Sequence, residues 1–259
     1  VTSHPHGGTA RRVTAHLITA GTHGPELRGE RVLFGQDPAT LVRERNGLAH
    51  QAPLTTVDVI TEVVPRPGGH RLHIDRIVFA EPAHRHAWAE LAGSADLLPG
   101  PAELIAEEEI EADGSGRPRL RRFASYGIVT DPAGRIMLSR IAEGFPAAGT
   151  WHLPGGGVDD GEDARTALRR EVLEETGQQG VVGELITVAS HRRAVQAGTD
   201  IYAVWVFSHV FVPEPVPAQV LESGGSTCEC GWFSPEELSE LRLSTTARRG
   251  LEFLVGHRP

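Results

Sequence analysis

Runs of apolar and β-branched residues recur along the chain, most of them closed by Gly, Pro or Asp. Val13–Ala20 and Arg31–Phe34 read as strands, and Asp37–Arg45 as a short capped helix. Thr56–Val64 and Arg71–Phe79 are β-rich runs joined by Pro65-Arg-Pro-Gly-Gly, which is hairpin punctuation. Ala83–Leu91 predicts a helix. Further on, Tyr126–Thr130 and Arg135–Ser139 flank the turn sequence Asp131-Pro-Ala-Gly. A long helix is expected over 163–176, strands over 184–190 and 200–212, and helical turns near 235–241 and 245–255.

One stretch breaks this rhythm. Leu97–Arg119 contains Pro99-Gly-Pro, the acidic residues Glu107, Glu108, Glu109 and Glu111, and then Asp113-Gly-Ser-Gly-Arg-Pro. Like charges mixed with Gly and Pro favour a solvated connection, not a metal cluster. The expected division is an N-terminal α+β accessory domain at 1–97, a linker at 98–119 and a second domain at 120–259. Both halves run hairpin, helix, hairpin, helix, and Asp58-Val-Ile-Thr is echoed by Leu185-Ile-Thr-Val. Two readings of the first half stand side by side: a degenerate repeat of the second, or an unrelated accessory domain.

Composition narrows the classes. Apolar residues are 39% of the 259, enough for a core. The net charge is −9, and all 25 basic residues are Arg. An acidic chain without Lys is a poor general partner for nucleic acid or an anionic membrane. No run approaches a membrane span, Val1–Arg12 lacks an apolar signal core, and two Cys make no disulfide framework. A cytoplasmic protein is expected.

The chemistry concentrates between Gly155 and Gly177. On a helix starting near Asp163, with Asp160 as the expected N-cap and Gly177 as the stop, Glu171 and Glu175 fall within about 20° of Ala164. Those carboxylates share the apolar, inward stripe with Ala167 and Leu168, and Glu174 borders it. An ordinary amphipathic helix would turn acids outward, because a buried unpaired carboxylate costs several kcal/mol. Crowded acids also repel one another unless a cation neutralises them. Carboxylates at i, i+3 and i+4 are hard oxygen ligands suited to Mg²⁺ or Mn²⁺. Arg170 is placed to orient Glu171 or Glu174. Upstream, Trp151-His-Leu-Pro-Gly-Gly-Gly leaves backbone carbonyls or amides open to a metal or phosphate. The residues point to a metal-dependent phosphate site on one helix.

Gly156, Glu162, Arg170, Glu171, Val172, Glu174, Glu175 and Gly177 match G-x5-E-x7-R-E-U-x-E-E-x-G-U, where U is bulky and apolar. At average composition, so many fixed positions coincide about once in 10⁸ starts, so the segment 156–178 resembles the Nudix hydrolase family specifically. Gln178, in place of the last U, is the departure; that position serves packing. The resemblance implies an α/β fold, a Nudix α/β/α sandwich over about 120–256. It implies hydrolysis of a diphosphate linkage in a nucleoside diphosphate derivative by water attack on phosphorus, with Mg²⁺ or Mn²⁺ as cofactor. Carried over by position, Glu171, Glu174 and Glu175 resemble metal ligands, with the Gly155 carbonyl as a further one. Arg170 resembles the residue that orients the glutamates, and Glu162 a structural partner at the helix start. The general base is a box Glu or a later loop Glu: Glu171 first, then Glu229, then Glu222.

Other residues carry less. Cys228 and Cys230 make half a zinc site with no His pair to complete it, and His84 and His86 do not share a helix face. His152, His191, Arg192 and Arg193 lie near enough in sequence to meet a phosphate, and Phe145, Trp151, Tyr202 and Trp205 to stack on a base; ordinary packing or a solvated turn is the competing reading. The expected partner is a small-molecule nucleoside diphosphate derivative, with neither nucleic acid nor membrane, and with a homodimer as the assembly considered. The alternative function is a catalytically silent sensor or regulator on the same fold. The intact acids argue against it.

Overall fold

The computed structural model describes residues 9–22, 24–66, 69–92, 119–193 and 199–256. The linker expected at 98–119 lies outside them except for Arg119, which opens a strand. The chain divides into two units, 1–122 with 160–162 and 188–204, and 123–159 with 163–187 and 205–259.

In the first unit, β1 (Thr9–Gly21), β2 (Gly24–Arg31), β3 (Thr55–Pro65) and β4 (Arg71–Ala80) form a mixed sheet ordered β2-β1-β4-β3. β1 is antiparallel to β2 and parallel to β4, and β4 is antiparallel to β3. β4 is buried from Leu72 to Ala80, as a central strand requires. Its polar members are paired: Asp75 accepts from Thr61 Oγ1 at 2.8 Å and faces Arg11 at 3.6 Å, and Arg76 holds Glu62 at 2.9 Å. Burial still lifts the Asp75 carboxyl to about 6, against the pull of Arg11 and Thr61. At the far end of the sheet, Ile18, Val78 and Ala80 pack with Ala87, Trp88 and Leu91.

Two expectations are corrected in this unit. The strand expected at Arg31–Phe34 ends at Arg31, because Gln36 takes the Leu33 N–H on its side chain at 2.8 Å and turns the chain. β2 itself escaped notice because Gly-Pro-Glu-Leu-Arg-Gly-Glu-Arg is a polar, mostly exposed edge with no apolar alternation. The helix expected at Ala83–Leu91 is a 3-10 segment, Pro82–Ala87, running into one α-turn, α2 (Trp88–Leu91); α1 (Pro38–Arg45) is capped by Asp37 as its sequence predicts.

The second unit is built on β5 (Arg119–Thr130), β6 (Ile136–Ile141), β7 (Trp151–His152), β8 (Gly155–Gly157), β9 (Val181–Arg193), β10 (Asp200–Phe211) and β11 (Thr227–Phe233), with α3 (Ala164–Thr176) and α4 (Thr245–Gly256). The sheet order is β11-β6-β5-β10-β9, with β7 paired to β6 and β8 to β5. The division between units falls inside β5, β9 and β10. The predicted turn at Asp131 forms because its carboxylate accepts from Ala133 N and Arg135 N at 3.0 and 2.9 Å. Leu168 and Val172 of α3 pack on Val129, Met137, Val210 and Val212, the core that fixes this helix to the sheet.

Asp163, not Asp160, caps α3: its carboxylate accepts from Arg165 N and Thr166 N, both at 2.8 Å. Asp160 instead faces Arg71 at 3.1 Å. Burial would raise the Asp163 carboxyl, but its bonds from Thr166 and Arg165 outweigh that and hold it below the ordinary range. Asp163→Ala should therefore cost about 1 kcal/mol of unfolding free energy, read from a denaturant midpoint, and Asp160→Ala clearly less. Equal losses at the two positions would overturn the cap assignment.

Candidate active site

The last turns of α3 present the acids at graded depth. Glu175 is 2% exposed. The Glu171 side chain is 15% exposed and Glu174 39%. The helical spacing sets this order: Glu171 and Glu175 lie on the face that carries Ala167 and Leu168 inward, and Glu174 on its margin.

Arg170 ties the outer two together. Its Nη1 donates to Glu171 Oε1 at 2.9 Å and to Glu174 Oε2 at 3.1 Å, while Nη2 donates to the Gly157 carbonyl at 3.1 Å. Asp159 stands 3.6 Å from the same group. One guanidinium thus fastens two carboxylates of α3 to β8, the planar geometry for which Arg is suited. Burial lifts the Glu171 carboxyl; Arg170 opposes the rise, and the charges of Glu174 and Glu222 add to it.

The glycines opposite α3 are set by contact. A Cβ on Gly156 would lie 2.5 Å from Glu171 Oε1, and one on Gly155, at φ 140°, would lie 2.2 Å from the Ser125 carbonyl. Only glycine lets this strand come so close to the helix and to β5.

Glu175 is satisfied from inside. Its Oε2 accepts from Ser139 Oγ at 3.0 Å and from the Gly155 N–H at 3.1 Å, and its Oε1 from Thr227 Oγ1 at 2.6 Å. Burial nevertheless raises its carboxyl to about 7, with Glu171 adding to the rise and the three donors opposing it. Ser139 and Thr227 were not singled out in the sequence. Ser139 looked like the polar end of a strand, and β11 carries no apolar alternation to announce Thr227.

The loop candidates separate. Glu229 sits in β11, half exposed, paired with Arg140 at 3.0 Å. Glu222 is the one whose charge bears on Glu171, and its N–H donates to the Glu174 carbonyl at 3.0 Å. Among the described residues, no three His, Cys, Asp or Glu side chains are gathered tightly enough to hold an ion as they stand; the cation between Glu171 and Glu174 is Arg170.

The peripheral candidates are mostly structural. His152 bonds Ser244 Oγ at 2.8 Å and meets Tyr126 edge-on, and burial lowers its pKa to about 4, so it is neutral. Trp151 packs on Phe233, and Trp205 under Arg249. In the first unit, Tyr202 donates to the Gln36 carbonyl and packs on Phe34, which Arg192 overlies. Phe145 is 41% exposed. Cys228 and Cys230 are free thiols, and burial and the charge of Glu175 push Cys230 up to about 11. His84 lies by Glu81 and His86 by Arg85.

The sequence profile of the NUDIX domain matches residues 120–253. A MutT-like protein of Streptomyces ambofaciens is 32% identical over 142 residues, covering 55% of this chain and 82% of the relative. The nucleoside triphosphatase NudI of Salmonella agona is 31% identical over 129 residues, 46% of this chain and 86% of the relative. A crystal structure of a MutT NUDIX hydrolase from Burkholderia pseudomallei is 28% identical and covers 52% of this chain and 98% of its own, with a TM-score of 0.43. The chain belongs to the NUDIX family, and it is a Nudix hydrolase.

The state of Glu175 has a measurable consequence. Its folded pKa, about 7, lies above its ordinary 4.5, so protonation favours the native state. Its stabilising contribution is complete below pH 4.5 and is lost as pH rises through 7. In metal-free protein kept in chelator, Glu175→Gln should flatten the decline in stability between pH 5 and 8 and gain on the order of 2–3 kcal/mol relative to wild type at pH 8. An unchanged pH slope in the variant would show that Glu175 does not titrate there.

Proposed function

We propose that the protein hydrolyses a diphosphate linkage in a nucleoside diphosphate derivative, by water attack on phosphorus, with Mg²⁺ or Mn²⁺ as cofactor. The observation that carries this reading is the crowding of buried acids: burial raises the carboxyls of Glu171 and Glu175, the charges of Glu174 and Glu222 add to the rise at Glu171 and that of Glu171 to the rise at Glu175, on a helix face pressed against glycine backbone. A divalent cation relieves that repulsion, and the all-oxygen donor set fits a hard ion. Glu171, Glu174 and Glu175 would hold it, with the Gly155 carbonyl. When bound, such an ion neutralises phosphate charge and lowers the pKa of a water.

The chain's own residues do the rest. Arg170 holds Glu171 and Glu174 in one orientation from Gly157. Glu171, with its carboxyl raised and largely shielded, is suited to take a proton from the attacking water, and Glu222 is the loop acid whose charge reaches it. Glu229 ranks behind both because Arg140 already engages it.

The domain reading is ours as well. Residues 1–97 act as an accessory domain, either a degenerate repeat or an unrelated unit, ahead of a catalytic domain at 120–259. No helix among the described residues is long and apolar enough to cross a membrane. The two free thiols suit a reducing compartment such as the cytoplasm, where the enzyme would act on a small nucleotide as a monomer or homodimer. Retention of all three box acids sets the silent-sensor alternative aside.

A metal-supplemented phosphate-release screen over nucleoside triphosphates, nucleotide sugars and dinucleotides should find turnover, with triphosphates first because one relative is a nucleoside triphosphatase. Glu171→Gln and Glu174→Gln should each lower kcat by about 10²- to 10³-fold with the unfolding midpoint held. Wild-type rates in both, or turnover that survives exhaustive chelation, would refute the reading.

A further inference from the structure

Gln178 stands where the family motif has a bulky apolar residue, and it is fully buried. Both donors of its amide and its oxygen are engaged. Nε2 donates to the Val216 carbonyl at 3.0 Å and to the Thr176 carbonyl at 3.1 Å, and Oε1 accepts from the Val216 N–H at 3.0 Å. The side chain therefore imitates one rung of a β-ladder against the backbone of Val216, a pairing that no apolar residue could make.

That rung opens a longer seam. Helix ends leave carbonyls without intrahelical partners, and here the segment after β10 supplies them. Gln219 N–H donates to the Thr176 carbonyl at 3.2 Å, and the N–H groups of Leu221 and Glu222 both donate to the Glu174 carbonyl, at 2.8 and 3.0 Å. Gly177, at φ 70°, permits the approach: a Cβ there would sit 3.1 Å from the Gln219 carbonyl. The seam runs from Gln178 to Glu222, and Glu222 at its end lies within electrostatic reach of Glu171.

We propose that Gln178 is a positioning residue: by clamping Val216 it registers residues 216–222 on the end of α3 and so fixes where Glu222, bonded through its N–H to the Glu174 carbonyl, stands relative to the acids of that helix. This rests on the reading above that Glu222 takes part in the reaction. An apolar residue at 178 fills the same space but leaves the Val216 N–H and carbonyl to water, so the seam would hold only by its far end.

The test is a double-mutant cycle with Gln178→Met, which keeps volume and loses all three side-chain bonds, and Gln178→Leu as a second form. With Mg²⁺ and GTP, or the substrate returned by the screen, Gln178→Met should lower kcat about 10- to 100-fold with KM within about twofold. Glu222→Gln should lower it comparably, and the double variant should be no slower than Glu222→Gln alone. In metal-free protein, hydrogen exchange at Val216, Gln219, Leu221 and Glu222 should quicken about tenfold while Leu168 and Val172 stay protected. Additive losses would mean that Gln178 acts independently of Glu222, and unchanged exchange that it does not hold the segment; either overturns the inference. A loss in Glu222→Gln with wild-type rates in both Gln178 variants sinks the clamp and leaves the role of Glu222 standing. Wild-type rates in Glu222→Gln sink that role, and the clamp proposal with it.

Discussion

The second unit is organised around carboxylates that a helix turns toward its own core. Glu171 and Glu175 share a face with Ala167 and Leu168, and packing of Leu168 and Val172 against Val129, Met137 and Val210 leaves the helix no freedom to rotate them out. Each acid meets this constraint differently. Glu175 is surrounded by two hydroxyls and a backbone N–H, Glu171 shares a guanidinium with Glu174, and Glu174 reaches partly into solvent. The rest of the site follows from these solutions. Ser139 and Thr227 must face inward on β6 and β11, Arg170 must find an anchor on Gly157, and residues 155 and 156 must lack side chains.

The two ends of α3 are completed in contrasting ways. At the start, Asp163 satisfies the first amides from within its own turn, which needs no distant partner. At the finish, the carbonyls of Glu174 and Thr176 are left to a segment some forty residues on, roughly, in a chain that could have ended the helix with Gly177 alone. A locally closed start makes the helix robust, and an end completed from afar brings a further carboxylate into the neighbourhood of Glu171.

Legibility in the sequence tracked whether a feature rests on local chemistry. The stop at Gly177, the Asp131 turn, the cap of α1 and the inward placement of Glu175 were all readable, because each depends on residues within a turn or two. The cap of α3 was missed by three positions: Asp160 and Asp163 offer the same carboxylate, and only backbone geometry chooses between them. β2 and β11 were missed because polar or mixed strands are held by their neighbours' backbones and not by their own pattern. Glu229 was ranked above Glu222 because spacing along the chain says nothing about Arg140, which pairs with it across the β6–β11 ladder. Gln178 read as a blemish in a motif; its meaning lies in Val216, and no short-range rule connects the two.

Buried charge occurs in both units, and its sign pattern tells a structural use from a chemical one. In the first unit two of the buried ions face an opposite charge: Asp75 has Arg11, with a further bond from the Thr61 hydroxyl, and Arg76 has Glu62. Such pairs are close to self-contained, and they ask nothing of a ligand. On α3 the imbalance runs one way. Arg170 is the cation bonded to Glu171 and Glu174, Glu222 and Glu171 add to the repulsion, and Glu175 is held by neutral donors only. The divalent ion proposed above would be the positive partner of these acids, and the two hydroxyls and the backbone N–H around Glu175 would keep that carboxylate in place without it.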